Sequence, residues 1–421
     1  MANRFSGKKL IILSSFFTVL ALLAVSAIVF LYRRTAEVSF PQDMKSLAYI
    51  TWSSAADTIE KKGVVTYDKI RSYEGINIYN GDESDACYLI DMLGNKLHVW
   101  SSAQYRWWYA TMCRNGDLLA ISNEGSLMRL NWDSNPKWVK KNNFHHEIAV
   151  AENDDIYTLI NKKEKVSKFG LPFHVINDYI IILSPDGKIK REISLFEVLK
   201  KEIPLTNFIE IYRNLFSYKN IKKIIKHKKI YYQTDFEIFH ANSFGIINRD
   251  IPGLCKKGDL LFCVWALDLI GILDIKTERL IWSWGAGNLD RPHRPVLLES
   301  GNILIFDNGW HRNYSRIVEL DPLTKKIVWE YMSEPRNRFF SKGGGSSQRL
   351  PNGNTLITEG HKGHIFEITH NGEVVWEYYN PDIKKNTNER ATIYRMMRVV
   401  DFENYPYLRG IVEREQLPKD F

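Results

Sequence analysis

The stretch RPHRPVLLESGNILIFDNGWHRNYSRIVELDPLTKKIVWEY, Arg291–Tyr331, decides the fold, because its pattern returns as QRLPNGNTLITEGHKGHIFEITHNGEVVWEY, Gln348–Tyr378. In both, a glycine turn leads into an apolar strand, a second turn and another strand, and a last strand closes on Trp and Tyr. Working outward, RNGDLLAISNEGSLMRL from Arg114, NDDIYTLINKKEKV from Asn153 and KKGDLLFCVWALDLIGILD from Lys256 share the design. Closing strands recur in LIDMLGNKLHVW, ending at Trp100, and ERLIWSW, ending at Trp284. A period of roughly 40–50 residues is that of four-stranded propeller blades, which bury their faces only by stacking around an axis.

The expected fold is therefore all-β, a six-bladed β-propeller over residues 63–400, with a last strand near Arg395–Val400 closing the ring on the first blade. One stretch breaks the pattern. Residues 195–230 lack a turn glycine and follow a helical period, which predicts a helical insertion in the third blade. Residues 401–421 read as a polar tail after the final strand.

Residues 1–35 read as a cytoplasmic amino terminus and membrane anchor, and 36–62 as a stem. Leu10–Tyr32 is an apolar run without charge, long enough to cross a bilayer as a helix. Arg4, Lys8 and Lys9 precede it, which favours a cytoplasmic amino terminus and places the body on the extracytoplasmic side. Val25-Ser26-Ala27 resembles a signal cleavage site, but the apolar run continues through Ile28, Val29 and Phe30, so an uncleaved single-pass anchor is preferred.

The formal charge of +8 comes without a recognition helix or zinc-finger spacing, so a nucleic-acid partner is not expected. Much of the excess lies in residues 200–229, where a solvated helix face is the simpler reading than a membrane-facing one. The four cysteines allow two readings. Outside the cytoplasm they are open to oxidation, with Cys255 and Cys263 able to meet across a hairpin, or all four are buried thiols.

The candidate chemistry sits at the start of the inner strands. His146 lies eight residues before the turn residue Asp154, His293 lies eight before Gly301, and His240 opens the similar segment HANSFGI. Inner strands line a propeller's channel, so these imidazoles are expected to converge there. Asn242 is two residues beyond His240 and shares its strand face, whereas His145 faces away from His146. Arg312 follows the turn Asp307-Asn308-Gly309, where a guanidinium fork suits an oxyanion. His361 and His364 have a metal-like H-x-x-H spacing but no convergent third ligand in the sequence, so neither metal nor cofactor is expected.

GVVTYDKIRSYEGINIYN, CYLIDMLGNKLHVW, HHEIAV, FHANSF, RPHRPVLLESGNILIFDNG, SRIVELDP and QRLPNGNTLI, taken in this order from Gly63 to Pro381, resemble the arylsulfotransferase family of six-bladed propellers. The resemblance implies a sulfate ester donor such as a phenyl sulfate, a phenolic acceptor, a sulfuryl group resting on a histidine, and no nucleotide donor. It implies that Arg312 and His293 hold the sulfuryl oxygens while His146 and His240 move the phenolic proton. Asn242, Asn308, Gln348, Arg349 and His361 complete the expected substrate-binding set. The sequence departs from the family at one place. The register of the family's nucleophilic histidine, on the inner strand of the following blade, falls on Gly345 in KGGGSSQRL. Another histidine, His293 or His361, then carries the group, or transfer is direct, or the protein no longer catalyses this reaction.

Two other readings compete. One is a noncatalytic propeller that binds a ligand or scaffolds partners at the membrane, since architecture does not determine activity. The other, a quinone-cofactor dehydrogenase, is suggested by ILDIKTERLIWSW and VELDPLTKKIVWEY and opposed by the six-blade period and the lack of adjacent cysteines.

Overall fold

The computed structural model describes residues 52–81, 84–168, 171–204, 237–384, 386–402 and 405–414. Among them the chain is all-β and propeller-like, with helices confined to short pieces. Six antiparallel sheets of four or five strands follow one another along the chain, here called the first to sixth blades. The second is Trp107–Met112, Leu118–Ser122, Ser126–Leu130 and Pro136–Lys141; the third begins at Phe144–Val150, the fourth at Ala241–Ile246 and the fifth at Pro292–Leu297. The sixth begins at Ser346–Arg349 and gains Gly63–Tyr67 as an added outer strand beside Val374–Tyr379.

The first blade joins the two ends of the ring. Arg395–Val399 pairs with Ile76–Asn80, so a late segment supplies the inner strand of the earliest blade. Arg398 fastens this closure from a fully buried position. Its guanidinium pairs with Glu367, donates to Asn77 Oδ1 and the Tyr73 carbonyl, and lies over the Trp376 ring. The inner strands touch their neighbours from the second blade to the sixth, and the sixth touches Arg395–Val399.

Middle strands such as Leu118–Ser122, Leu260–Val264 and Ile303–Asp307 are buried along their whole length, because both faces pack against adjacent blades. Outer strands such as Lys326–Tyr331 are exposed or half-buried along their length. The cores lie between blades, as where Leu261, Cys263 and Ile270 of the fourth meet Ile303, Ile305 and Val318 of the fifth.

Several expectations change. A seventh sheet of three short strands joins the stem segment Trp52–Ser54 to Glu389–Ala391 and Ile383–Lys384. The middle hairpin of the third blade is long, with Ile156–Lys168 against Leu171–Leu183, where the sequence showed only a turn and strand. The helix Leu195–Leu199 follows that blade's outer strand rather than interrupting it, capped by Ser194 and buried through Leu195, Phe196 and Leu199. The remainder of the expected insertion falls largely outside the described residues, as does the Leu10–Tyr32 anchor. No helix among the described residues is long and apolar enough to cross a membrane.

The polar tail is corrected in part. Residues Pro406–Arg414 form a helix whose Leu408 and Ile411 are buried against the first and second blades. Their apolar spacing of three residues is helical, and it supplies the burial that a polar reading missed. All four cysteines are free and buried. The Cys263 thiol donates to the Pro292 carbonyl at 3.1 Å.

Candidate functional site

Four inner strands carry β-bulges: between Trp107 and Tyr109, between His145 and Ile148, between Ala241 and Ser243, and between His293 and Val296. Each bulge breaks the two-residue alternation and re-aims a side chain. Backbone φ is positive at His146 (57°), His240 (47°) and Arg294 (45°). Left-handed non-glycine residues cost on the order of 1–3 kcal/mol each and collect at functional sites. The bulge also explains why His145 does not face away from His146. Their Nδ1 atoms lie 2.7 Å apart with the rings edge-on, and the Tyr394 hydroxyl donates to the His146 carbonyl at 2.8 Å.

The expected convergence of imidazoles is present. The His146 and His240 ring centroids are 4.9 Å apart, and His240 stands 5.3 Å from the Trp265 ring. Burial, followed by His240, His145 and His293, pushes the His146 pKa well below its ordinary value. His293 is held down to about 3, first by burial and further by the nearby His240 and His361. His240 goes the other way. Burial opposes its charge, but the Glu237 carboxylate 2.9 Å from Nδ1 outweighs burial and raises the pKa.

The hydrogen bonds fix the tautomer of His293. The Asn308 amide donates to the Ser341 and Gly344 carbonyls, both at 2.7 Å, so its Oδ1 must be the acceptor facing His293 Nδ1 at 2.7 Å. Nδ1 therefore carries the proton. The Nε2 lone pair is left to accept one long contact, 3.3 Å from the Gly344 N–H.

His293 lines a small, partly open pocket together with Asn242, Ser243, Arg294, Gly344, Gly345, Tyr394 and Arg395. Asn242 reaches it from the fourth blade while its amide donates to the Pro292 carbonyl at 3.0 Å. Sequence reasoning missed the charged group here. Glu147, fully buried, pairs with Arg395 through both oxygens at 3.0 Å and with Arg294 at 2.5 Å. Glu147 and Arg294 adjoin His146 and His293 in sequence, and the bulges in their strands bring these neighbours to the same side. Arg395 also donates to the Tyr109 hydroxyl at 2.8 Å, and its pKa is raised because Glu147 outweighs burial.

Three expected anion binders are engaged elsewhere. Arg312 ties its own turn together, donating to Asp307 Oδ2 at 2.9 Å, the Asp307 carbonyl at 2.7 Å and the Tyr314 carbonyl at 3.0 Å. Gln348 bridges blades by exchanging hydrogen bonds with the Arg398 backbone. Arg349 pairs with Glu319 at 2.6 Å and stacks on Trp329.

His361 and His364 separate in role. The His361 ring accepts a long 3.4 Å contact from the Gly343 N–H, and burial pushes its pKa down to about 4. His364 sits between Glu359 and Glu377 at 2.9 and 3.0 Å. No group of three or more His, Cys, Asp or Glu that could hold a metal ion occurs among the described residues. At Gly345, where the resembling family would place its histidine, φ is 125° and an added Cβ would meet the Phe306 ring at 2.7 Å. No side chain fits there without moving that ring.

The family model described as arylsulfotransferase (ASST) matches residues 115–381. No functionally curated protein matches the chain. Among solved structures, a protein of unknown function from Bacteroides caccae is 12% identical, covering 78% of this chain and 100% of its own, with a TM-score of 0.49. A streptogramin B lyase is 12% identical over 80% of this chain and 93% of its own, with a TM-score of 0.45. The Swd1 β-propeller domain of Myceliophteria thermophila is 10% identical over 79% and 99%, with a TM-score of 0.42.

Proposed function

The chain belongs to the arylsulfotransferase family, and on that premise we propose that it moves a sulfuryl group from an aryl sulfate ester to a phenol, with His293 as carrier. The observation that carries this reading is the Nε2 lone pair of His293 at the cavity, held in place by Asn308 through Nδ1. A depressed pKa keeps that ring neutral and able to attack near neutral pH.

In the first step Nε2 attacks sulfur and the S–O bond to the aryl group breaks. The phenolate leaves with the bonding electron pair and takes a proton from His240, whose pairing with Glu237 favours the charged ring. In the second step the acceptor phenol oxygen attacks sulfur, the N–S bond breaks, and the acceptor's proton returns to His240. Atoms and charge balance over the cycle. His146, held neutral beside His240, fixes that ring's position, and Asn242 and His361 border the bound ester. The apolar run Leu10–Tyr32 supports a single-pass membrane anchor with the blades on the extracytoplasmic side.

The test is incubation of the full-length protein with 4-nitrophenyl sulfate and a phenol. Release of nitrophenolate that requires the acceptor and disappears in His293→Ala is expected. A folded protein inactive across several aryl sulfates would contradict the reading. That result would favour a noncatalytic binding propeller, which the glycine at position 345 otherwise recommends.

A further inference from the structure

Arg294 is a charged side chain at the cavity that hydrogen bonding only partly uses. Its Nη1 donates to Glu147 at 2.5 Å and to the Phe244 carbonyl at 3.3 Å, while Nε and Nη2 make no hydrogen bond among the described residues. Those two nitrogens form one edge of the guanidinium, the edge that grips two oxygens of an oxyanion side by side. Arg294 has a strained φ of 45° within the bulge that begins at His293, and both residues line the same pocket.

The charge of the surroundings is also defined. Glu147 cancels one of the two guanidiniums and leaves a surplus of one positive charge. Of the neighbouring histidines, His146 and His293 are held neutral and His240 is paired with Glu237, while the buried Asp178 carboxyl lies beside His145. We propose that Glu147, Arg294 and Arg395 form an oxyanion cradle of net charge +1, in which Arg294 grips the ester oxygens and Glu147 sets a preference for singly over doubly charged esters. A sulfate monoester carries one negative charge, whereas a phosphate monoester is mostly doubly charged above pH 7. A second anionic charge meets the Glu147 carboxylate, to which Arg395 is already committed.

The cradle rests on the transfer reading only for its class of ligand, and binding tests it without turnover. Calorimetric titration of the full-length protein with 4-nitrophenyl sulfate and with 4-nitrophenyl phosphate, without acceptor, compares two ligands that differ chiefly in charge. The wild type is expected to prefer the sulfate by at least about tenfold. Arg294→Gln should weaken sulfate binding at least about tenfold, while Arg249→Gln, on a distant surface pair, leaves it unchanged. Glu147→Gln should erase or reverse the preference. If that variant does not fold, Arg294→Lys, which keeps the charge and loses the fork, is expected to bind several-fold more weakly.

Equal binding of the two ligands by the wild type, or sulfate affinity indifferent to Arg294, overturns the cradle. Selective binding through Arg294 without transfer keeps the cradle and removes the transferase. Transfer that persists in Arg294→Gln with unaltered affinity does the opposite.

Discussion

The Nδ1 atom of His293 lies 2.7 Å from Oδ1 of Asn308, and the two amide donors of Asn308 are both spent on backbone carbonyls. That arrangement permits one amide orientation and one imidazole tautomer. The carrier role of His293 depends on it, because the opposite tautomer would turn a proton rather than a lone pair toward the ester.

Asn308 is accordingly a positioning residue. Asn308→Ala should lower kcat by about a hundredfold and cost about 1–3 kcal/mol in urea unfolding, since Asn308 is fully buried. Asn308→Asp keeps an acceptor at Nδ1 but adds a negative charge. It should raise the His293 pKa and move the acid limb of the kcat/KM profile upward, which lost packing alone would not do.

The pH profile follows from the opposed shifts. His293 must be neutral and holds a pKa of about 3, while His240 must be charged and is raised by Glu237. Activity should therefore stay level across the acid range to about pH 4 and fall as the pH rises through the His240 value. Glu237→Gln removes the supporting carboxylate and should bring the alkaline limb to lower pH. A profile that instead rises from pH 6 to 8 would contradict the assignment.

Gly345→Ala should destabilise the protein by about 2–5 kcal/mol in urea unfolding, through positive φ and collision with Phe306. Gly344→Ala shares the positive φ without a colliding neighbour and should cost only about 1 kcal/mol. Equal losses in the two variants would show that the Phe306 contact does not close the position.

His364 links stability to pH away from the cavity. Burial opposes its charge, yet Glu359 and Glu377 raise its pKa. A raised folded-state value stabilises the fold fully below the unfolded histidine pKa of about 6.5 and loses that contribution as pH rises through the folded value. His364→Gln should abolish that part of the alkaline loss. His293 acts with the opposite sign: its depressed pKa contributes stability above about pH 6.5 that is lost on acidification toward pH 3.

The blade repeat was legible because turn glycines such as Gly116, Gly258, Gly301 and Gly353 all take positive φ and mark the same place in successive sheets. Closure through Arg395–Val399 was legible for the same reason, as the strand left over once the copies were aligned. The histidines were legible as differences between copies. What eluded the sequence depends on the bulges. Strict alternation sends Glu147 and His145 to one face and His146 to the other, and the same rule separates Arg294 from His293. A local αL residue at the bulge gathers them, and neither His146 nor Arg294 is a residue type that announces it. Arg312, next to a conspicuous turn, looked available because a turn's need for internal donors cannot be weighed without coordinates.

The most direct test is the mass of peptides from the full-length protein after brief exposure to 4-nitrophenyl sulfate without acceptor. One added sulfuryl group on the peptide containing His293, lost when a phenol is supplied and absent in His293→Ala, is the expected result. The group on another histidine, or acceptor-dependent transfer with no labelled peptide at any time, would contradict the account.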